Sequence, residues 1–438
     1  MNASDGTGTA GSAPRLTHLG RLYFLHIPKA AGTSLRLWLE EMFDVERCCP
    51  YLHPFDIPQD GGGILDRHHF FSGHHRWWFA EHWGAHLDFD VITFLRRPIV
   101  RSMSGLRHLR ALSREEAASY TSRAWEKGDI VDLMEGMSDA EVARLPQDAR
   151  EKDDMTRQLG FTEPLASESR GDRLTGTVDE VVLASALENL RGMATFGLVE
   201  HMDRSAVLLA DRLGLPGRSM AVRTNVSLGK PVEPSAALLQ ALHEVNVYDN
   251  RLYAAARDLF EERWAVLLSR VALADDAAGR RALGARLDKA FRTTARGLPR
   301  LSALTADPSR GMVVDGWKPR FRYEPLNRWL RWSQTARPRL WLPIDRQETR
   351  SLHVEIAYTT DTFVRDSLSI EIDGQPVATE RAFEIWTEDG NYHLVLSAAI
   401  PPAAEAPQYT EIAFRLPEGV VDGAAFAMSQ VIVGEKTP

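Results

Sequence analysis

The sequence predicts an α/β domain built on a parallel sheet with helices on both faces, followed by an antiparallel β-sandwich. Three observations lead there. Short apolar runs alternate with helix-period segments from about residue 16 to residue 270, the signature of strand–helix units and a parallel sheet. Beyond residue 311 the apolar residues alternate with a period of two, which marks half-buried strands. At residues 23–34 an apolar run passes through a proline into a lysine, three small residues and two hydroxyls, and then into an amphipathic helix.

At 438 residues the chain is long for one domain and two are expected. Hydrophobic residues make up 44% and charged residues 26%, as in ordinary globular proteins. There are 52 Lys and Arg against 60 Asp and Glu, a net charge of −8. That balance argues against a nucleic-acid partner, so any anionic ligand must be held by local basic groups. The two cysteines, Cys48 and Cys49, are adjacent and cannot build a disulfide framework. No apolar run approaches the ~20 residues of a membrane helix. Residues 1–15 are rich in Gly, Ser, Thr and Ala and read as a disordered tail.

The first strand holds Tyr23, Phe24 and Leu25. His26, Ile27, Pro28, Lys29, Ala30, Ala31, Gly32, Thr33 and Ser34 follow, and Leu35, Trp38, Leu39 and Met42 then recur on one helical face. A strand, tight loop and helix start aim N–H groups and the positive helix end at an anion. Lys29 adds charge and the two hydroxyls add donors. The nucleoside-triphosphatase loop is excluded, because it needs its lysine after the second glycine, and here Lys29 comes three residues before Gly32. A second strand, residues 91–95, runs straight into Arg96, Arg97, Pro98, Ile99, Val100, Arg101, Ser102, Met103 and Ser104. Arginine offers a planar fork of donors to phosphate. A third strand lies at residues 193–200, with helices near 181–190 and 205–213. In such a sheet ligand loops lie at the carboxyl ends of the strands, so Lys29 and Arg96 are expected to converge.

Between the first two strands lies a histidine-rich stretch: His68, His69, His74, His75, His82 and His86. A zinc site is disfavoured: Glu81 precedes His82, so H-E-x-x-H is absent, and neither cysteine has zinc-type spacing from the histidines. His75, His82 and His86 read as packed or solvated. A neutral imidazole suits proton removal near neutral pH.

The Pro-Lys-small-small-Gly-Thr-Ser order resembles the 5′-phosphosulfate loop of sulfotransferases, in particular the heparan sulfate 2-O-sulfotransferase and related carbohydrate sulfotransferases. The resemblance covers roughly residues 20–265 and includes residues 196–205, 223–227 and 248–253. It implies a P-loop-like three-layer sulfotransferase domain, with 3′-phosphoadenosine 5′-phosphosulfate (PAPS) as donor and no metal. It places Lys29, Ala30, Ala31, Gly32, Thr33 and Ser34 on the 5′-phosphosulfate, and Arg96 and Ser104 on the 3′-phosphate. The Gly73-His74 pair matches the family's base, so the implied catalytic residues are His74 and Lys29. Ser72 stands where the family carries a second histidine, Arg97 where it carries an aspartate, and Gly105 where many members carry an aromatic. The 223–230 loop is either a cover for the 3′-phosphate or a solvated basic loop, and Arg157 either meets an acidic substrate or caps a helix.

Residues 271–310 are Ala-, Arg- and Leu-rich and read as a helical linker between a 16–270 sulfotransferase domain and a 311–438 sandwich. In the sandwich, Asp373-Gly374 gives a strong hairpin signal. This part resembles accessory β-sandwich modules attached to bacterial polysaccharide glycosyltransferases. Trp317, Trp329, Trp332 and Trp341 are set either to stack on sugars or to fill the core.

The resulting expectation is sulfuryl transfer from PAPS to a hydroxyl of a carbohydrate acceptor, a polysaccharide or a glycolipid. The alternatives are a nucleotide-dependent phosphotransferase of related fold, which needs a magnesium-binding acid after a strand, and a non-catalytic glycan-binding protein. The animal relatives are held in the Golgi by a membrane helix; with none visible here, a cytoplasmic location is expected.

Overall fold

The computed structural model describes residues 14–51, 63–111, 136–144, 152–161, 178–217, 234–294, 298–385, 392–405, 407–416, 423 and 425–435. Two compact units emerge: one of Leu19–Thr294, the other of Ala295–Pro438 together with the residues before Leu19.

The first unit is built on four parallel strands, β1 (Arg21–Leu25), β2 (Phe70–Gly73), β3 (Phe89–Leu95) and β4 (Thr195–Leu198), in the order β2-β1-β3-β4. Helix α1 (Gly32–Glu40) follows β1, the short α2 (Ile64–Arg67) precedes β2, α3 (Arg76–Leu87) joins β2 to β3, and α4 (Pro98–Ala111) follows β3. Strand β2 is only four residues long, too short for its sequence to show a period.

Side chains alternate across the sheet, and each face meets helices. On one face the Tyr23 ring packs on Phe79 of α3 at 4.8 Å, and Phe196 lies 6.4 Å from Phe260 of the helix Val247–Val271. On the other face Gly197 sits so close to Phe94 and to Ser205 of the helix Met202–Leu213 that a Cβ there would clash. The Ser205 hydroxyl accepts from the Leu198 N–H and donates to the Leu198 carbonyl, both at 2.9 Å, locking that helix to the strand end. Helices therefore cover both faces.

A buried ionic network stiffens the unit behind α4. Arg101 pairs with Asp154 at 2.8 Å and with Asp249 at 3.5 Å. Asp249 also accepts from the Met155 and Thr156 N–H groups and from the Thr156 hydroxyl. Asp153 accepts from the N–H groups of Tyr248 and Asp249 and so caps the helix Val247–Val271 from outside it. Residues 152–161 and 248–253 thus join in one scaffold.

The expected 271–310 linker divides differently. Its helical part, Ala277–Thr294, belongs to the first unit, while Leu304–Ala306 is already strand β5 of the second. The physical reason is that the helix has its own core face to bury: Leu283 and Phe291 are almost wholly enclosed.

The second unit is an antiparallel sandwich. Its strands are β6 (Val313–Asp315), β7 (Phe321–Tyr323), β8 (Arg328–Trp332), β9 (Arg339–Leu342), β10 (Arg350–Thr359), β11 (Ser369–Ile372), β12 (Gln375–Pro376), β13 (Thr379–Ile385), β14 (Tyr392–Ile400), β15 (Thr410–Arg415) and β16 (Phe426–Glu435). One sheet has the order β13-β14-β10-β16-β8-β7 with β5 added on β16, and the other runs β12-β11-β15-β9-β6. The central strand of the first sheet, β10 (Arg350–Thr359), presents Leu352, Val354 and Ile356 to Ile370, Ile412 and Phe414 of the second. At the predicted hairpin Asp373 and Gly374 both have positive φ, 51° and 78°, as a primed turn requires. Trp317 and Trp341 are 4% and 1% exposed; Trp317 belongs to the core, its indole donating to the Arg339 carbonyl at 2.8 Å, while Trp341 is buried on the other face of its strand against the Arg339 guanidinium. Trp332 is half-buried and lies alongside Tyr358, with centroids 6.3 Å apart and planes 18° apart.

Candidate active site

All four parallel strands end at one edge, with Leu25 beside Gly73 and Thr93, and Leu95 beside Leu198. The segments leaving that edge carry His26 to Ala31, His74, Arg96 with Arg97, and the turn Val199–His201.

The loop after β1 is strained. Lys29 (φ 66°) and Ala31 (φ 60°) are both left-handed, at a cost of about 1–2 kcal/mol for each residue with a Cβ. Two bonds hold it: Ala30 N–H donates to Ile27 O at 3.3 Å, and Arg96 Nη1 donates to Lys29 O at 3.0 Å. Ala31, at the N-cap of α1, has no side chain that caps the helix, and residues 26–31 link the end of β1 to the helix start at this edge. Ala30 is buried, whereas Thr33 and Ser34 are half-buried.

The electrostatics favour an anion. Burial, and then the charge of Arg96, hold the Lys29 amine below its ordinary pKa. Burial likewise lowers Arg96, against the pull of Glu200 and with the push of Arg107 and Arg97. Two partly desolvated cations side by side are relieved by a negative group between them.

Glu200 is an acid at a strand end that the sequence reading did not weigh. Its Oε1 accepts from the Arg97 N–H at 2.9 Å and lies 3.6 Å from Arg97 Nε, while its Oε2 accepts from the Tyr253 hydroxyl at 2.7 Å. Arg97, which departs from the resembled family's aspartate, thus has an acidic partner from β4's end.

His74 is the first residue past β2 and is half-buried. Its Nδ1 lies 2.8 Å from the His26 carbonyl oxygen. The two imidazoles are 4.6 Å apart and tilted by 34°. His26 has its pKa lowered to about 3, by burial first and then by His74, Arg36 and Lys29. His75 takes a different role: it is 1% exposed, packs on Phe79 at 5.1 Å, and places Nε2 3.0 Å from the Tyr51 carbonyl.

Ser104 lies half-buried on α4, beyond Ser102, whose hydroxyl donates to Asn246 at 3.1 Å. Lys29, Arg96 and His26 are tied together by a hydrogen bond and by charge. Arg157 is buried, with Nε donating to Lys152 O at 2.8 Å and its guanidinium over the Phe161 ring; it stands inside the scaffold, which overturns the acidic-substrate reading. The 223–230 loop lies outside the described residues. Among the described residues no cluster of three His, Cys, Asp or Glu is arranged to hold a metal, and no helix is long and apolar enough to cross a membrane.

Fold and edge together define an α/β protein with a cationic anion site beside a histidine. Comparison with known proteins narrows the class. No protein-family model matches the chain. It is 32% identical over 84 residues to human heparan-sulfate 6-O-sulfotransferase 3, covering 19% of this chain and 18% of that protein. It is 33% identical over 85 residues to human heparan-sulfate 6-O-sulfotransferase 1, covering 19% and 21%. With chicken heparan-sulfate 6-O-sulfotransferase 2 the identity is 26% over 193 residues, 40% of this chain and 45% of that one. The chain thus spans less than half the length of these relatives. The similarity is weak and partial, and the proteins it reaches are heparan-sulfate sulfotransferases; the resemblance above points to the 2-O enzymes, whereas these relatives carry 6-O in their names. Among solved structures, a family 35 carbohydrate-binding module from Clostridium thermocellum aligns over 31% of this chain and 99% of its own, at 8% identity and a TM-score of 0.22, too low to carry an argument.

Proposed function

We propose that the chain is a sulfotransferase that moves a sulfuryl group from PAPS to a hydroxyl of a carbohydrate, a polysaccharide or a glycolipid. The observation that carries this reading is the meeting of Lys29, Arg96, the uncapped start of α1 and His74 at one sheet edge. Lys29 and the start of α1 suit the phosphosulfate, Arg96 suits the 3′-phosphate, and all three suit an anionic donor. The fourth suits the removal of a proton.

The state of His74 follows from its partner. A carbonyl oxygen only accepts, so the neutral ring carries its proton on Nδ1 and its lone pair on Nε2. In the reaction, Nε2 takes the proton of the acceptor hydroxyl as that oxygen bonds to sulfur. The bond from sulfur to the 5′-phosphate oxygen breaks, and its electron pair leaves with 3′-phosphoadenosine 5′-phosphate. Lys29 stabilises the charge that grows on the departing oxygen. Ala30 to Ser34 hold the 5′-phosphate with backbone N–H groups and hydroxyls, while Arg96 and Ser104 take the 3′-phosphate. His74 then returns its proton to solvent.

The phosphotransferase alternative needs an acid free to bind magnesium. Glu200 is at a strand end, but Arg97 and Tyr253 engage both its oxygens. The names of the relatives make heparan sulfate the first acceptor to try. Calorimetric titration tests the donor site: 3′-phosphoadenosine 5′-phosphate is expected to bind, and more tightly than ATP with magnesium. The reverse order would contradict the reading.

A further inference from the structure

We propose that His26 is the positioning residue of the candidate base, its carbonyl and its ring together holding His74 in one tautomer and one rotamer. The inference rests on the reading of His74 as base and adds a residue to which the sequence reading gave no role.

The geometry is a closed clamp. The His26 N–H donates to Gly73 O at 3.1 Å, and the His26 carbonyl receives His74 Nδ1 at 2.8 Å. Gly73 and His74 are consecutive, so both the backbone and the ring of the base are referenced to one residue. The His26 ring supplies the third contact, 4.6 Å from the His74 ring. It cannot swing away, because it stacks on Phe24 (5.6 Å, 13°) and lies against Gly32, where any Cβ would collide with it. Gly32 therefore serves two ends: it opens the helix start to an anion, and it makes room for the wall behind the base.

The clamp is uncharged where it matters. Besides His74, the charged groups acting on His26 are Lys29 of the same loop and Arg36 of α1, and with burial they keep its ring neutral at every pH at which an ordinary imidazole titrates. A neutral ring packs against His74 without opposing its protonation as an imidazolium would. It also shares the α1 start with the donor loop, so base and donor are held from a common support. Orientation of this kind is worth much in rate, since a misplacement of about 1 Å costs on the order of 100-fold.

The test uses the full chain with 15N-labelled histidine, and His74→Ala to assign the His74 signals. NMR of the ring nitrogens should show His74 as the Nδ1–H tautomer alone when neutral. Both substitutions leave the His26 carbonyl in place: His26→Phe keeps a flat ring and should preserve that state, whereas His26→Ala removes the wall that holds the His74 ring on the carbonyl and should give a mixture of tautomers. A single unchanged tautomer in His26→Ala overturns the proposal, and this readout needs no turnover. Sulfate transfer from labelled PAPS to 6-O-desulfated heparan sulfate gives the second arm. His26→Ala should lose roughly 10- to 100-fold in kcat with the donor KM unchanged, His26→Phe should recover most of it, and His26→Ala should cost nothing further in a His74→Ala background. Additive losses would overturn the clamp. If His74→Ala alone kept its turnover, the base assignment would fall, while the tautomer measurement would still decide whether His26 sets the His74 ring.

Discussion

The carboxyl edge of the parallel sheet and the sandwich unit use cations and aromatics in opposite ways. In the sandwich unit buried Arg339 pairs with Asp315 and Glu411, and half-buried Arg337 reaches Glu371 at 2.7 Å and Glu411 at 3.0 Å. Its most enclosed tryptophans are packing. At the sheet edge burial lowers the pKa of both Lys29 and Arg96, with Arg96 pushing Lys29 further down; Arg96 donates to a carbonyl of a strained loop, and an imidazole is aimed by a backbone oxygen. The first pattern is what stability needs. The second leaves positive charge and strain unrelieved, and such features gather where a ligand relieves them.

Substitutions can break this contrast from either side. The largest effect is expected in the sandwich core. Trp317→Ala removes a core side chain that is 4% exposed and packs edge-on against Phe414 and Phe426, and aromatic deletions of this kind cost about 3–5 kcal/mol. Denaturant unfolding should show that loss, while affinity for 3′-phosphoadenosine 5′-phosphate stays near normal. A matching loss of nucleotide affinity would mean that the two regions are not divided as described.

At the edge, Lys29→Ala should lower turnover by about 10²–10³-fold at saturating donor and leave the thermal midpoint nearly unchanged, since the residue is strained and half-buried. Near-normal turnover would remove the donor loop from the chemistry.

A smaller effect separates scaffold from site. The Asp153 carboxyl is pushed up to about 6, chiefly by burial. Its folded pKa lies above the unfolded value of about 3.9, so the folded state holds the proton more tightly. The stability from this group is full below the unfolded pKa and is lost as pH rises through about 6. Asp153→Asn should flatten the unfolding free energy between those values. An unaltered pH slope would mean that the cap is not the source.

Much of this was legible in the sequence. Pro28 and Lys29 between an apolar run and an amphipathic helix give the first strand end, and residues 91–104 give the second. What stayed hidden depends on contacts across long separations. His26 and His74 are 48 positions apart, and no local pattern reveals that one's carbonyl meets the other's ring. Arg101 and Asp154 are 53 apart, so the motif arginine could not be recognised as scaffold. Strand β2 is too short to show a period, and its missing from the reading also hid why His74 and His75 diverge: the first leaves the strand end, and the second turns into the aromatic layer of Tyr23 and Phe79. Glu200 follows a strand that was recognised, yet its pairing with Arg97 joins two strand ends that are neighbours only in the sheet.

The central claim is that proton removal and sulfuryl transfer occur together at the sheet edge, with His74 Nε2 as the base. The most direct measurement follows label from 35S-PAPS into 6-O-desulfated heparan sulfate across pH, for the wild type, His74→Ala and His75→Ala. The wild type should transfer sulfate with an ascending limb as pH rises and the base loses its proton. His74→Ala should lose about 10²–10⁴-fold together with that limb, and should still bind 3′-phosphoadenosine 5′-phosphate. His75→Ala should keep the limb, because that ring is buried against Phe79. Transfer that survives in His74→Ala with its pH profile unchanged would contradict the account.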